Sequence, residues 1–212
     1  ILSPQLPPQL LVGDASTMNM QDGATYTKLS LANCDFSEQA ATDVLLDQVY
    51  FKRVSLSQTQ LTAPQVIDSR LEACDFAGAE WEKAYFRRIE MLGCRLVGAK
   101  LIQANIEDVV IKDCNGELAL FWESSFKAVR FERSTLREAS FEGANLSGVV
   151  FDTCDLQKAD LRNTKLVGTD FRGSMINGIQ VGIKELQGAI IDPAQAVQLA
   201  DLLGMTVRTA NE

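Results

Sequence analysis

The chain of 212 residues carries five cysteines and no histidine, and that combination narrows its chemistry at once. The cysteines are Cys34, Cys74, Cys94, Cys114 and Cys154, spaced 40, 20, 20 and 40 residues apart. Nothing here matches the paired C-x-x-C spacing of a zinc site. The lack of histidine removes the commonest general base and metal ligand, and no glycine-rich phosphate loop occurs. The 28 acidic side chains outnumber the 20 basic ones for a net charge of −8, which disfavours direct nucleic-acid binding. No catalytic residue, metal or cofactor is expected, and the chain reads as a non-enzyme.

The elements that must position these residues explain the spacing. From Tyr26 to Ile191 a bulky apolar residue recurs at every fifth position, as in Leu96, Leu101, Ile106 and Ile111 or Phe121, Phe126, Phe131 and Leu136; only Ala41 and Gly116 break the pattern by size. Two residues before these centres (position i) the side chain is most often small, and all five cysteines fall there. A five-residue period fits neither the 3.6 of a helix nor simple strand alternation, so each unit is a short extended piece plus a corner. Residues i−2 and i then face inward, i−1 and i+1 face outward, and glycine at i+2, as in Gly78, Gly93 and Gly98, supplies the corner. Spacings in multiples of 20 put every cysteine on one wall if a coil holds four units. Internal repetition on this scale predicts a solenoid. Inward-facing thiols in one packed column fit reduced cysteines and a cytoplasmic protein.

Units such as Ala144-Asn145-Leu146-Ser147-Gly148, Cys154-Asp155-Leu156-Gln157-Lys158 and Ala159-Asp160-Leu161-Arg162-Asn163 resemble the pentapeptide-repeat proteins. The resemblance covers about four-fifths of the chain and implies an all-β fold, a right-handed quadrilateral parallel β-helix, with a short C-terminal α-helix. Residues 1–23 are expected to be an N-terminal cap, 24–193 the solenoid of about eight and a half coils and roughly 40 Å, and 194–212 a C-terminal helix and tail. In the first segment Pro4, Pro7 and Pro8 resist regular pairing, while Leu6, Leu10, Leu11 and Val12 are suited to cover the first coil. At the other end Asp192 and Pro193 read as an N-cap and first-turn proline, with a helix over 194–203 stopped by Gly204. No run of 18 apolar residues predicts a membrane span. The start at Ile1 lacks the basic opening of a secretory signal and fits either an internal boundary or removal of a leader.

The repeat also sorts the outer surface into four walls, named here by their first centres: Tyr26, Leu31, Phe36 and Ala41. The first two carry acids and bases in equal number, whereas the adjoining Phe36 and Ala41 walls each carry six acids against three bases. The candidate partner-binding acids on these walls are Asp35, Glu38, Asp75, Glu80, Glu82, Glu123, Glu138, Glu142, Asp155 and Asp160. An acidic face of this kind suits a basic protein groove.

Two readings of partner follow. The tail from Gln195 to Val207 is similar to that of the Qnr-type members of the family, and this resemblance implies binding and protection of DNA gyrase or topoisomerase IV, in part by mimicking DNA. The alternative is an interaction scaffold with a non-topoisomerase partner, read from an apolar patch of Val97, Ile102, Leu118, Leu120 and Trp122. Trp122 is expected to project outward. Leu118 and Leu120 either join it or turn inward to fill the gap left by Gly116. A homodimer through Ala196, Leu199, Leu202, Leu203 and Met205 is expected, because a helix of about ten residues is marginal alone and the last coil covers only one side of it.

Overall fold

In the computed structural model, which describes residues 1–13, 19–202 and 204–208, the repeat winds a parallel β-solenoid of about seven turns. Its strands are β1 (Leu11–Val12), β2 (Thr25–Thr27), β3 (Leu29–Ala32), β4 (Ala40–Thr42), β5 (Leu45–Asp47), β6 (Tyr50–Lys52) and β7 (Gln60–Thr62). They continue as β8 (Gln65–Glu72), β9 (Glu80–Glu82), β10 (Tyr85–Leu92), β11 (Asn105–Lys112), β12 (Ser125–Glu132) and β13 (Val150–Asp152), followed by helix α1 (Pro193–Leu202). Each rung pairs with the residue 20 positions on, as in Phe86 with Ile106 and Phe131 with Phe151. The Tyr26 and Leu31 walls form one ten-stranded sheet, and β4, β7 and β9 form a separate ladder on the Ala41 wall. The Phe36 wall is an unbroken series of single bridges from Asp35 to Met175.

The corners rest on backbone geometry more than on glycine. Position i+2 is left-handed in unit after unit: 23 non-glycine residues there hold φ between 45° and 61°, alongside glycines such as Gly98 and Gly148. In β8, β10, β11 and β12 the turn falls at the fourth residue (Asp68, Arg88, Asp108, Ala128), so two walls are one strand bent at a left-handed residue. An L-residue in this region is strained by about 1 kcal/mol or more, and the strain persists because ladder bonds on both sides fix the turn. Asp68 and Arg88, the turn residues of β8 and β10 one coil apart, also form an ion pair.

The interior is as regular as the ladder. From Ala41 to Ile179 residues i and i−2 are buried, and phenylalanines stack in columns: Phe121 on Phe141 at 4.9 Å, Phe131 on Phe151 at 5.1 Å and Phe151 on Phe171 at 5.2 Å. The inward amide at i−2 needs an acceptor, because it points away from the ladder and from water. Small polar side chains one coil on supply it: Cys114 Sγ accepts from the Cys94 amide (3.2 Å), Ser134 Oγ from Cys114 (3.1 Å) and Ser174 Oγ from Cys154 (2.9 Å). The cysteine column is therefore a hydrogen-bonding column in which serine is interchangeable with cysteine. Burial pushes the Cys154 thiol up to about 11, and all five cysteines are free.

Two expectations are corrected and one open alternative is decided. Leu11 and Val12 do not cover the first coil. They are 72% and 90% exposed, because β1 extends the Leu31 wall by pairing with β3, and Met20 is buried in their stead. Residues 2 and 5 instead run down the outside of the shaft, donating backbone amides to Asp108 Oδ1 (2.9 Å) and Asp68 Oδ1 (3.0 Å). The gap at Gly116 draws neither leucine inward, since Leu136 Cδ2 already lies 3.0 Å from where a Cβ would sit, and the Gly116 amide keeps its 2.7 Å bond to Thr135 O. Finally, the regular ladder does not reach residue 193. After Gln180 the chain makes helical turns over 183–188 and rejoins at Ile190, which donates to Thr169 O at 2.8 Å.

Candidate functional site

Because the ladder fixes a 20-residue offset, charges of opposite sign at equivalent positions meet between coils. Among the described residues nine ion pairs join positions 20 apart, among them Lys52 with Glu72 and Arg133 with Asp113. On the two acidic walls ion pairing, at this offset and at shorter ones, divides the candidate acids into halves. Asp75 pairs with Arg95 (3.0 Å), Glu80 with Lys100 (2.6 Å), Glu138 with Lys158 (3.2 Å), Asp155 with Arg137 (2.9 Å) and Asp160 with Arg162 (2.6 Å). The guanidinium of Arg162 holds the Asp160 carboxyl below the usual carboxylate range. Among the described residues Asp35, Glu38, Glu82, Glu123 and Glu142 have no ion-pair partner, and all but the half-buried Glu142 are exposed. DNA presents one negative charge per about 1.7 Å of axis. A face on which half the acids are neutralised falls well short of that density.

The apolar patch lies on the same face. Leu118 is 50% and Trp122 40% exposed, and Val97, Ile102 and Leu120 are half-buried beside them. Trp122 does not project freely, since its Nε1 donates to Ser140 Oγ in the next coil at 2.8 Å. The ring thus lies along the wall, anchored at its polar edge. Below it opens a shallow groove of about 420 Å³ lined by Leu118, Trp122, Glu138, Ser140, Glu142 and Asp160 together with Lys158, Arg162 and Gln180. The structure brings together two sets of residues that the sequence separates: Leu118 and Trp122 from the patch, Glu138, Glu142 and Asp160 from the acidic walls. Asp35 and Glu38 lie at the first coil, far up the same face, and Asp75, Glu80, Glu82 and Asp155 lie outside the groove. Ser140 is the residue that sequence reasoning overlooked; its only signal is its place between Leu120 and Asp160 in one ladder column.

At the far end, α1 closes the shaft. Asp192 Oδ1 accepts from the Gln195 amide (3.0 Å) while Gln195 Oε1 accepts from the Asp192 amide (3.0 Å), a reciprocal capping box. Gln195 Nε2 also donates to Phe171 O (2.6 Å) and Ser174 O (2.7 Å), so one buried side chain caps both helix and solenoid. Leu199 is buried against the core and belongs to this cap, whereas Leu202 and Met205 are 46% and 52% exposed and Ala196 is exposed. Leu203 lies outside the described residues. No helix among the described residues is long and apolar enough to cross a membrane.

Two family models match: one for a pentapeptide repeat region over residues 65–141, and one described as pentapeptide repeats (8 copies), matched over residues 154–178. No curated protein matches the chain. HetL, a pentapeptide repeat protein involved in heterocyst differentiation regulation from the cyanobacterium Nostoc sp. strain PCC 7120, is similar over 82% of this chain and 89% of its own, at 20% identity and a TM-score of 0.54. That likeness bears on the fold alone. Full-length QnrB1, a plasmid-mediated fluoroquinolone resistance protein, aligns over 92% of this chain and 95% of its own at 18% identity, with a TM-score of 0.41 that carries no argument.

Proposed function

The chain belongs to the pentapeptide-repeat family, and from that premise we propose that it is a non-enzymatic protein-binding solenoid acting through the corner between its Phe36 and Ala41 walls. The observation that carries this reading is the groove itself, where an anchored, 40% exposed tryptophan meets Glu142, which has no ion-pair partner among the described residues, beside Glu138 and Asp160, which are paired with Lys158 and Arg162. Exposed aromatic surface beside uncompensated charge is characteristic of a recognition site and unusual on a shaft that needs neither for stability. The partner is a protein presenting basic and apolar side chains.

DNA gyrase or topoisomerase IV is one such basic-grooved partner. Purified protein that alters supercoiling or drug-stabilised cleavage by gyrase, with the effect lost in Trp122→Ala, identifies that enzyme as the partner. No effect on gyrase leaves the scaffold reading, with a different partner. If Trp122→Ala and Leu118→Asp bind the partner as well as the unaltered chain does, the groove is not the site.

A second copy is proposed as a further partner at the capped end. Val197, Leu202, Met205 and Val207 are each 46–52% exposed on and just beyond α1, more apolar surface than the last coil covers. Since Leu199 is taken up by the cap, Leu202→Asp with Met205→Asp is the informative variant. Light scattering that gives a monomeric mass for the intact chain at micromolar concentration excludes the dimer.

A further inference from the structure

The chain contains the Asn-Gly dipeptide twice, at Asn115-Gly116 and at Asn177-Gly178, and the fold treats the two in opposite ways. Asparagine followed by glycine is the pair most prone to cyclise, because the glycine amide has no Cβ beside it to obstruct attack on the asparagine side-chain carbon. We propose that Asn177 is a site of spontaneous deamidation to aspartate and isoaspartate in the folded protein, whereas Asn115 is protected.

Asn115-Gly116 lies inside the ladder. The Asn115 amide donates to Cys94 O (2.9 Å), Asn115 O accepts from the Leu96 amide (2.6 Å), and the Gly116 amide donates to Thr135 O (2.7 Å). Asn115 Oδ1 accepts from the Glu117 amide (3.0 Å), and Gly116 is buried. Cyclisation there requires the Gly116 nitrogen to leave its acceptor and turn onto Asn115 Cγ, which breaks bonds to both neighbouring coils. Asn177-Gly178 sits at a corner of the same Phe36 wall, in its last coil. In the coils before it the corner amide donates onward: Gly98 to Glu117 O (2.9 Å), Leu118 to Arg137 O (3.0 Å), Glu138 to Gln157 O (3.0 Å) and Lys158 to Asn177 O (2.9 Å). The position that would accept from Gly178 is Val197, which lies in α1. Among the described residues the Gly178 amide has no acceptor, and both Asn177 and Gly178 are exposed.

The Gly178 nitrogen, giving up its proton to solvent base, attacks Asn177 Cγ; the Cγ–Nδ2 bond breaks and ammonia leaves. The succinimide so formed takes up one water. Water entering at Cγ leaves aspartate, and water entering at the backbone carbonyl leaves isoaspartate, in which the chain runs on through Cγ and gains a methylene group. No oxidant, metal or enzyme takes part. Either product puts a new carboxylate on the Phe36 wall, one coil below Lys158 of the groove.

The test is peptide mapping of the intact chain by mass spectrometry after incubation in heavy-oxygen water at mildly alkaline pH, once folded and once in urea. Expected in the folded chain is conversion of Asn177 at least about tenfold faster than Asn115, with one heavy oxygen in each converted residue and the Asn177 product split between aspartate and isoaspartate. In urea the two are expected to convert at rates within about threefold of each other, since sequence alone then distinguishes them. Asn177→Gln is expected to abolish the acidic species that accumulates in the folded chain, and Asn115→Gln to leave it. Conversion of Asn115 as fast as Asn177 in the folded chain overturns the assignment, as does an Asn177 that survives in the folded chain over the time in which both convert in urea.

Discussion

Trp122 Nε1 and Ser140 Oγ lie 2.8 Å apart between adjacent coils, and this bond turns an outward aromatic residue into one side of a groove. Freed of it, the ring would swing away from the wall. Ser140→Ala is expected to speed solvent exchange of the Trp122 indole proton and to weaken partner binding, while changing unfolding free energy by less than about 1 kcal/mol, because the bond is at the surface. Hydrogen exchange by NMR and urea unfolding report the two effects separately.

The phenylalanine column has no slack to absorb a hole. Phe151 is fully buried and stacked at 5.1 Å on Phe131 and 5.2 Å on Phe171, with ladder bonds holding each coil in place. Phe151→Ala is expected to cost about 3–5 kcal/mol in urea unfolding. A loss below about 1 kcal/mol would mean that the column relaxes, contrary to the rigid stack described here.

Left-handed corners without glycine are the weak points of the shaft. Ala73 and Ala128 are exposed and held at φ 52°, and neither side chain is part of the core. Ala73→Gly and Ala128→Gly are each expected to stabilise the chain by about 0.5–1 kcal/mol, the relieved strain less the extra chain entropy of glycine. Gly148→Ala is expected to lose a similar amount, since a Cβ there has open space and only the backbone at φ 75° objects.

The sequence makes the shaft legible because burial is periodic: Phe121, Phe131 and Cys114 each occupy a position that recurs every five residues, and inward or outward follows from arithmetic alone. Where contacts depend on side-chain reach across coils, periodicity is silent. It places Trp122 outside but not its anchor on Ser140, and it counts the acids but not the 20-residue ion pairs that neutralise Asp75, Glu80 and Glu138. The ends obey no repeat at all. Leu11 and Val12 look like a plug by composition, yet their backbone meets the unpaired edge of β3 first, and edge pairing leaves their side chains in solvent. The Asp192 cap was readable from its neighbour Pro193, whereas the second task of Gln195, satisfying carbonyls of the last coil, depends on where the helix lands.

Gln195 makes that landing a point of stability. Its Nε2 is the donor to two carbonyls, those of Phe171 and Ser174, and the side chain is 2% exposed. Gln195→Ala is expected to cost roughly 1–3 kcal/mol and Gln195→Glu more, because the carboxylate puts acceptors against both carbonyls. Amide exchange concentrated near residues 190–200 in Gln195→Ala would locate the loss at the cap.

The most direct measurement of the central claim is site-specific photo-crosslinking in cells that make the protein, with a benzoylphenylalanine at position 118, inside the groove, or at position 127, on the opposite Tyr26 wall. Lys127 is exposed and serves as the matched control. Expected is a discrete protein adduct from position 118 that disappears when Glu142→Lys is added, and none from position 127. The same adduct from both positions, or an adduct from 127 alone, would contradict recognition through the Trp122 groove.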